Sequence, residues 1–197
     1  MDLDDMKKKN VRAKLPASGI YYSPGEQKER AALGLPPCSP APRGLIKKLP
    51  KGRVPILKKA ICAPGVLNEA PVYGSAFTRG LRLELPSHYI QLLISGTSSV
   101  GPHGETLYPG DFRAQLWRTY HNITELLESE GATWHDVVRT TCYLRDIDRD
   151  YAEFNRIRTE FYDALGLDPY PASTGIQAGI CRSDLLIEIE AVAIIVP

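Results

Sequence analysis

No stretch of the sequence is apolar for long enough to cross a bilayer as a helix, which takes about 20 residues. Nothing resembles a secretory leader either, since the opening Met1-Asp-Leu-Asp-Asp5 has no apolar segment behind it. These absences predict a cytoplasmic protein with no membrane partner. Cysteine is scarce: Cys38, Cys62, Cys142 and Cys181 are too scattered for a zinc site, and free thiols are expected. The four histidines, at 88, 103, 121 and 135, show no metal-ligand spacing either. Also missing are a Gly-x-Gly-x-x-Gly loop after the first strand, a Walker loop and a Gly-x-Ser-x-Gly elbow. What remains is carboxylate and backbone chemistry, with no cofactor and no metal expected.

The charge is unevenly placed. Residues 1–59 hold 14 Lys/Arg against 5 Asp/Glu, a net of +9, while residues 60–197 hold 10 against 18, a net of −8. Half of the 16 prolines also precede residue 60. The chain therefore reads as a basic, Pro-rich N-terminal extension, residues 1–56, on an acidic domain, residues 57–197. Lys7-Lys8-Lys9 and Lys47-Lys48 are the basic clusters, and Pro36-Pro-Cys-Ser-Pro-Ala-Pro42 is stiff and extended. Without interleaved aromatics, these clusters read as a solvated segment wrapping an acidic body rather than as a nucleic-acid arm.

Periodicity divides the domain. A short strand fits 54–62, and 77–85 alternates, with Phe77, Arg79, Leu81, Leu83 and Leu85 on one side. Tyr89-Ile-Gln-Leu-Leu-Ile-Ser-Gly96 reads as a central strand forming a hairpin with it. Gly96 ends that strand where a residue without Cβ lets backbone groups approach a ligand. Asp111 is a helix cap, followed by Phe112, Leu116, Tyr120, Ile123 and Leu127 at helical spacing up to Gly131. His121 falls within this helix. Val137-Val-Arg-Thr-Thr-Cys-Tyr-Leu144 is a second central strand. A second helix starts at Asp148 or Asp150, carries Tyr151, Phe154, Ile157, Phe161 and Leu165, and stops at Gly166. Two strands follow from Tyr170. The pattern is an α+β domain of order β-β-α-β-α-β-β, with two helices packed on one face of a mixed sheet. The other face needs cover, which predicts self-association.

The last strand is the most informative. Residues 185–196 are β-branched and apolar, as for a strand buried on both faces, yet Glu188 and Glu190 interrupt them. With a period of two, both carboxylates share a side. Each is costly there unless it is paired, hydrogen-bonded or placed in a cleft.

Six segments in order carry a resemblance to a known family. They are Ile94-Ser-Gly-Thr97; the helix with Asp111 and Gln115; Asp136-Val-Val-Arg-Thr-Thr-Cys-Tyr-Leu-Arg-Asp146; residues 151–155; Pro171-Ala-Ser-Thr-Gly-Ile-Gln177; and Ile187-Glu-Ile-Glu-Ala-Val-Ala193. Over about residues 70–196 the chain resembles the RidA (YjgF) family. The resemblance implies a chorismate-mutase-like α+β domain, a homotrimer with a cleft at each subunit interface, and hydrolysis of reactive enamines and imines to ketoacid and ammonia. It puts the catalytic carboxylate at Glu188, with Glu190 in reserve. It puts the substrate-facing glycine at Gly96 and the polar helix residue at Asn155. Ser173 and Thr174 fall on the segment where the family carries the arginine that clamps the substrate's carboxylate. Phe77 falls where the family has an aromatic hydroxyl. The residue two beyond Ser173, Gly175, also departs from the family's Cys or Thr.

Serine has neither the charge nor the fork of a guanidinium. If the family reaction is kept, another arginine must serve, and Arg182, Arg139 and Arg79 are the candidates. The leading expectation is a hydrolase of a small enamine, imine or related anionic metabolite with altered specificity. The alternatives are a catalytically silent metabolite-binding relative, a chorismatase-like enol-ether hydrolase (which the Pro-Ala-Ser-Thr-Gly segment also resembles), and, last, an RNA-processing or translation-inhibiting protein. The acidic domain argues against a nucleic-acid partner.

Overall fold

The strand carrying Glu188 is the spine of the sheet. The computed structural model describes residues 28, 29, 31–34, 56–69 and 76–196. The basic clusters, the Pro-rich segment and Cys38 lie outside the described residues. The chain divides after Val54, and the fold that follows is that of the second unit, Pro55–Pro197.

Its elements are β1 (Leu57–Ile61), β2 (Gly80–Glu84), β3 (Ile90–Ser98), α1 (Phe112–Glu128), β4 (Val137–Leu144), α2 (Ile147–Ala164), β5 (Ala172–Gln177) and β6 (Ile187–Ile195). Six strands form one sheet in the order β1-β2-β3-β6-β4-β5. β4 and β5 run parallel and the other pairs antiparallel, so the sheet is mixed. The predicted hairpin of β2 and β3 is present, with Leu81 opposite Leu93. The sheet has one strand more than the β-β-α-β-α-β-β order: β1 occupies the edge beside β2. Lys59 on β1 and Arg82 on β2 both reach Glu130, at 3.0 and 3.4 Å, tying that edge to the segment after α1.

Both helices cover one face. α1 starts where the Asp111 carboxylate accepts the Ala114 N–H at 2.9 Å, and Gly131 takes φ +73° just past its end. α2 starts earlier than expected from Asp148 or Asp150. Asp146 is its cap, accepting the Arg149 N–H at 3.0 Å. Phe112, Leu116, Tyr120, Ile123 and Leu127 of α1 are buried as the spacing predicts, and Phe154 and Ile157 of α2 meet them in the same core. Aromatic rings lock the layers. Phe161 stacks on Tyr120 with centroids 4.4 Å apart and stands edge-on to Trp134 at 5.1 Å. Cys62, Cys142 and Cys181 are free thiols.

The expectation that residues 185–196 are buried on both faces is corrected. In β6, Ile187, Ile189, Ala191 and Ala193 are buried under the helices, while Glu190 and Ile194 are exposed and Glu188 and Val192 are half-buried. Among the described residues the helices cover only one side, and the apolar side chains on the other are half-buried or, for Ile194, exposed. By register, Leu81, Leu83, Leu93, Val192 and Ile194 share that open face. Among the described residues, no helix is long and apolar enough to cross a membrane.

Candidate active site

Two buried amides place the strand ends that bear the site. Gln115 donates from Nε2 to the Asp184 carbonyl at 2.8 Å, and its Oε1 accepts the Leu186 N–H at 2.8 Å. It thereby holds both sides of the turn into β6. Asn122, one helical stretch further on, donates to the Ser98 and Val100 carbonyls, both at 2.9 Å, and fixes the end of β3. Arg145 binds the carbonyls of Ile180, Arg182 and Leu185, gathering the loop before β6. The antiparallel register then sets Glu188 opposite Ser98 on one side and Tyr143 on the other.

Glu188 lies over Gly96. A Cβ at residue 96 would stand 2.2 Å from Glu188 Oε1 and 2.8 Å from its Cδ, closer than any side chain tolerates. The β3–β6 register shifts between Ile94 and Thr97, so the bare glycine sits in an irregularity that makes room for the carboxylate. Ser98 Oγ donates to Glu188 Oε2 at 3.3 Å. Burial raises the Glu188 carboxyl above its ordinary value. The Ser98 hydrogen bond opposes the rise, the neighbouring Glu190 charge adds to it, and Arg79 works against it. Glu190, two residues on, shares the face as expected but is exposed, and accepts the Tyr143 hydroxyl at 2.9 Å.

The other predicted residues divide between the two sides of the sheet. Ser173 pairs with Thr140, and Glu188 with Tyr143; since Thr140 and Tyr143 are three apart on β4, Ser173 and Glu188 point to opposite faces. Thr174 points to the Glu188 side, where Arg139 Nη2 donates to its hydroxyl at 3.3 Å. Ser173 instead faces α2. Its Oγ accepts from Thr140 Oγ1 at 3.0 Å and from Arg158 Nη1 at 3.1 Å. Asn155, on α2, accepts from Arg158 Nη2 at 2.7 Å. One copy of the chain thus has two candidate half-sites: Glu188, Gly96 and Ser98 on the open face, and Ser173, Asn155 and Arg158 between α2 and β5.

The three arginines expected to stand in for the clamp do not meet Ser173. Arg182 donates to the Gly104 carbonyl at 2.6 Å, and Arg79 is buried against Asn68, bonding its carbonyl at 2.7 Å and its side chain at 2.9 Å. Both are held by loop backbone that needs donors. Arg139 lies on the opposite face. Phe77 is partly exposed, with the Arg79 guanidinium 5.5 Å from its ring centroid. Arg158, not among the candidates, is the arginine at Ser173. Its signal was the i, i+3 spacing from Asn155, which puts both on one helix face. Ser98 was also missed, although it lies two residues beyond Gly96. A hollow of about 340 Å³ near Trp134, His135, Asp168 and Tyr170 includes none of these side chains. Among the described residues, no three His, Cys, Asp or Glu side chains are grouped to hold a metal.

Residues 87–195 match the family described as Endoribonuclease L-PSP. The chain belongs to that family, the RidA (YjgF) family of the sequence resemblance. A RutC family protein of Pyrococcus abyssi is 31% identical over 102 residues, which span 52% of this chain and 76% of that relative. The crystal structure of the YjgF gene product of Escherichia coli matches with a TM-score of 0.55 at 26% identity, covering 68% of this chain and 97% of that one. Escherichia coli TdcF, solved with bound serine, has the same fold, with a TM-score of 0.58 at 24% identity over 70% of this chain and 98% of its own. Members of the RidA family often act on reactive imine and enamine intermediates.

Proposed function

We propose that the protein is a cofactor-independent hydrolase of small anionic imines or enamines, working at a cleft completed where copies of the chain meet. One observation carries the reading: a half-buried carboxylate, Glu188, raised above its ordinary pKa and laid against a glycine that leaves it room. A carboxyl so placed can hold a proton nearer neutrality and pass it on. For an imine, water adds to the C=N carbon while Glu188 accepts the water's proton and returns it to nitrogen. The carbinolamine then expels ammonia and leaves the carbonyl. Gly96 and Ser98 position the carboxylate, and Thr174 lines the same face. For an enamine, Glu188 first protonates carbon to give the imine.

Self-association follows from the two half-sites. Glu188 and Ser173 face opposite sides of one sheet, so a substrate spanning both needs a second copy. The open apolar face of Leu81, Leu83, Leu93, Val192 and Ile194 supports packing of this kind, and the proposed assembly is the family's homotrimer. The experiment is to generate a 2-imino acid in situ with an amino-acid oxidase and follow its loss by semicarbazide trapping. Glu188→Gln should lower turnover by roughly 10²- to 10⁴-fold, the usual share of general acid–base catalysis. Unchanged turnover would remove Glu188 from the chemistry. A catalytically silent metabolite-binding protein is the second reading, favoured by Phe77, which has no hydroxyl to offer a substrate; it predicts no turnover even in the wild type.

A further inference from the structure

We propose that Arg158 supplies the guanidinium that binds the substrate's carboxylate, in a pocket formed with Ser173, Asn155 and Thr140 between α2 and β5. The identity of the anion as substrate rests on the hydrolase reading above; the anion site itself rests on geometry. Arg158 projects from the middle of α2, half-buried, with its guanidinium 4.8 Å from the Phe154 ring centroid. That stacking fixes the plane of the fork and strips part of its hydration. Its polar partners are both neutral: Asn155 Oδ1 at 2.7 Å and Ser173 Oγ at 3.1 Å. Among the described residues no carboxylate pairs with it. The adjacent arginines of the same helix differ, since Arg149 is paired with Asp150, and Arg156 with Glu153 and Glu160.

A partly desolvated guanidinium satisfied only by neutral acceptors is an unbalanced charge. Two of its donor groups already point at exchangeable side-chain oxygens, so an incoming carboxylate can replace weaker hydrogen bonds with charge-assisted ones. Ser173 is prepared for the same ligand. Its oxygen already accepts from Thr140 Oγ1 at 3.0 Å and from Arg158, which leaves its own proton to donate. That proton can reach the Cys142 sulfur at 3.9 Å, a weak acceptor that a carboxylate oxygen displaces. Gly175 keeps the groove open beyond Ser173, because a Cβ there would press on the Tyr151 ring at 3.3 Å. The guanidinium absent from position 173 is thus delivered to that position from the helix.

The probe is pyruvate, a small 2-oxo acid product of imino-acid hydrolysis, titrated into the full-length protein and followed by ligand-observed NMR. Arg158→Met should weaken pyruvate binding roughly 10- to 100-fold, as expected for losing hydrogen bonds to a charged group. Arg158→Lys, which keeps charge and stem but not the fork, should fall between the two, and guards against a methionine variant that fails to fold. Arg156→Met, two residues away on another side of the helix and already ion-paired, should bind as the wild type does. Wild-type affinity in Arg158→Met, a loss in Arg139→Met instead, or no pyruvate binding by the wild type would each overturn the proposal. Pyruvate binding that depends on Arg158 in a wild-type protein that turns over no imine would keep the anion site and dismiss the hydrolase reading.

Discussion

Replacing Gly96 by alanine separates the position of the Glu188 carboxylate from its presence. The new Cβ would stand 2.2 Å from Oε1, 2.8 Å from Cδ and 3.2 Å from Cγ of Glu188. Real Cβ contacts essentially never fall below 3.0 Å, so the oxygen must retreat by at least 0.8 Å. The atoms in the way belong to the end of a flexible side chain, so the carboxylate moves and the sheet stays. Its 3.3 Å bond from Ser98 is lost in the move. Gly96 has no left-handed φ, so alanine is free of backbone strain there, and the narrower unfolded ensemble offsets the small cost with about 0.4–1 kcal/mol. Misplacing a catalytic group by about 1 Å costs on the order of 10²-fold in rate. Gly96→Ala should therefore lower kcat/KM for imine loss by about 10²-fold while keeping a wild-type melting temperature. Added to Glu188→Gln it should subtract almost nothing further, because the group it displaces no longer exchanges a proton. A fully active, normally folded Gly96→Ala would refute both the placement of Glu188 and the role given to it.

Three other outcomes follow from the same structure. Because the folded protein raises the Glu188 carboxyl, it binds more protons than the unfolded chain just above the ordinary carboxylate range, and stability falls as pH rises through that window. Thermal melts should show Glu188→Gln gaining on the wild type as pH climbs from the ordinary carboxylate value toward the raised one, with no gain below it. Gln115→Leu strands the Asp184 carbonyl and the Leu186 N–H at the entry to β6, and urea denaturation should show a loss of about 2–4 kcal/mol. Val192→Lys puts a charge at the centre of the open sheet face; light scattering should find a smaller species than the wild type, and imine turnover should fall with it.

Much of the domain was legible because its signals are local. The α1 stripe, the Asp111 cap, the Gly131 and Gly166 stops and the β2–β3 hairpin all follow from spacing and turn chemistry, and the structure has them. The strand through Glu188 was harder. Its apolar run reads as buried on both sides, and sequence does not distinguish a face covered by helices from one left for another copy. The edge strand β1 was read from residues 54–62 but given no place in the order, since pairing at a sheet edge depends on the partner's register. Arg158 was illegible for a related reason. A position-by-position reading sees Ser173 where an arginine is wanted and looks along the strand, but the guanidinium arrives across the layer from α2, 15 residues back in the chain. Of the arginines that were named, Arg79 and Arg182 bind carbonyls of the loops around them and Arg139 the Thr174 hydroxyl, contacts that only the fold reveals.

Glu188 and Glu190 show how one strand makes two carboxylates unlike each other. They share a face and lie two residues apart, so composition and periodicity treat them alike. Glu190 meets solvent and accepts the Tyr143 hydroxyl at 2.9 Å. Glu188 meets the bare backbone of Gly96 and a single, long hydrogen bond from Ser98, an environment that disfavours its charge. The charge on Glu190 pushes in the same direction. The outer carboxylate therefore acts on the inner one through the field, while its own hydrogen bond is to the Tyr143 hydroxyl. The Ile-Glu-Ile-Glu repeat is therefore an asymmetric pair on this face, with one carboxylate half-buried against Gly96 and the other exposed.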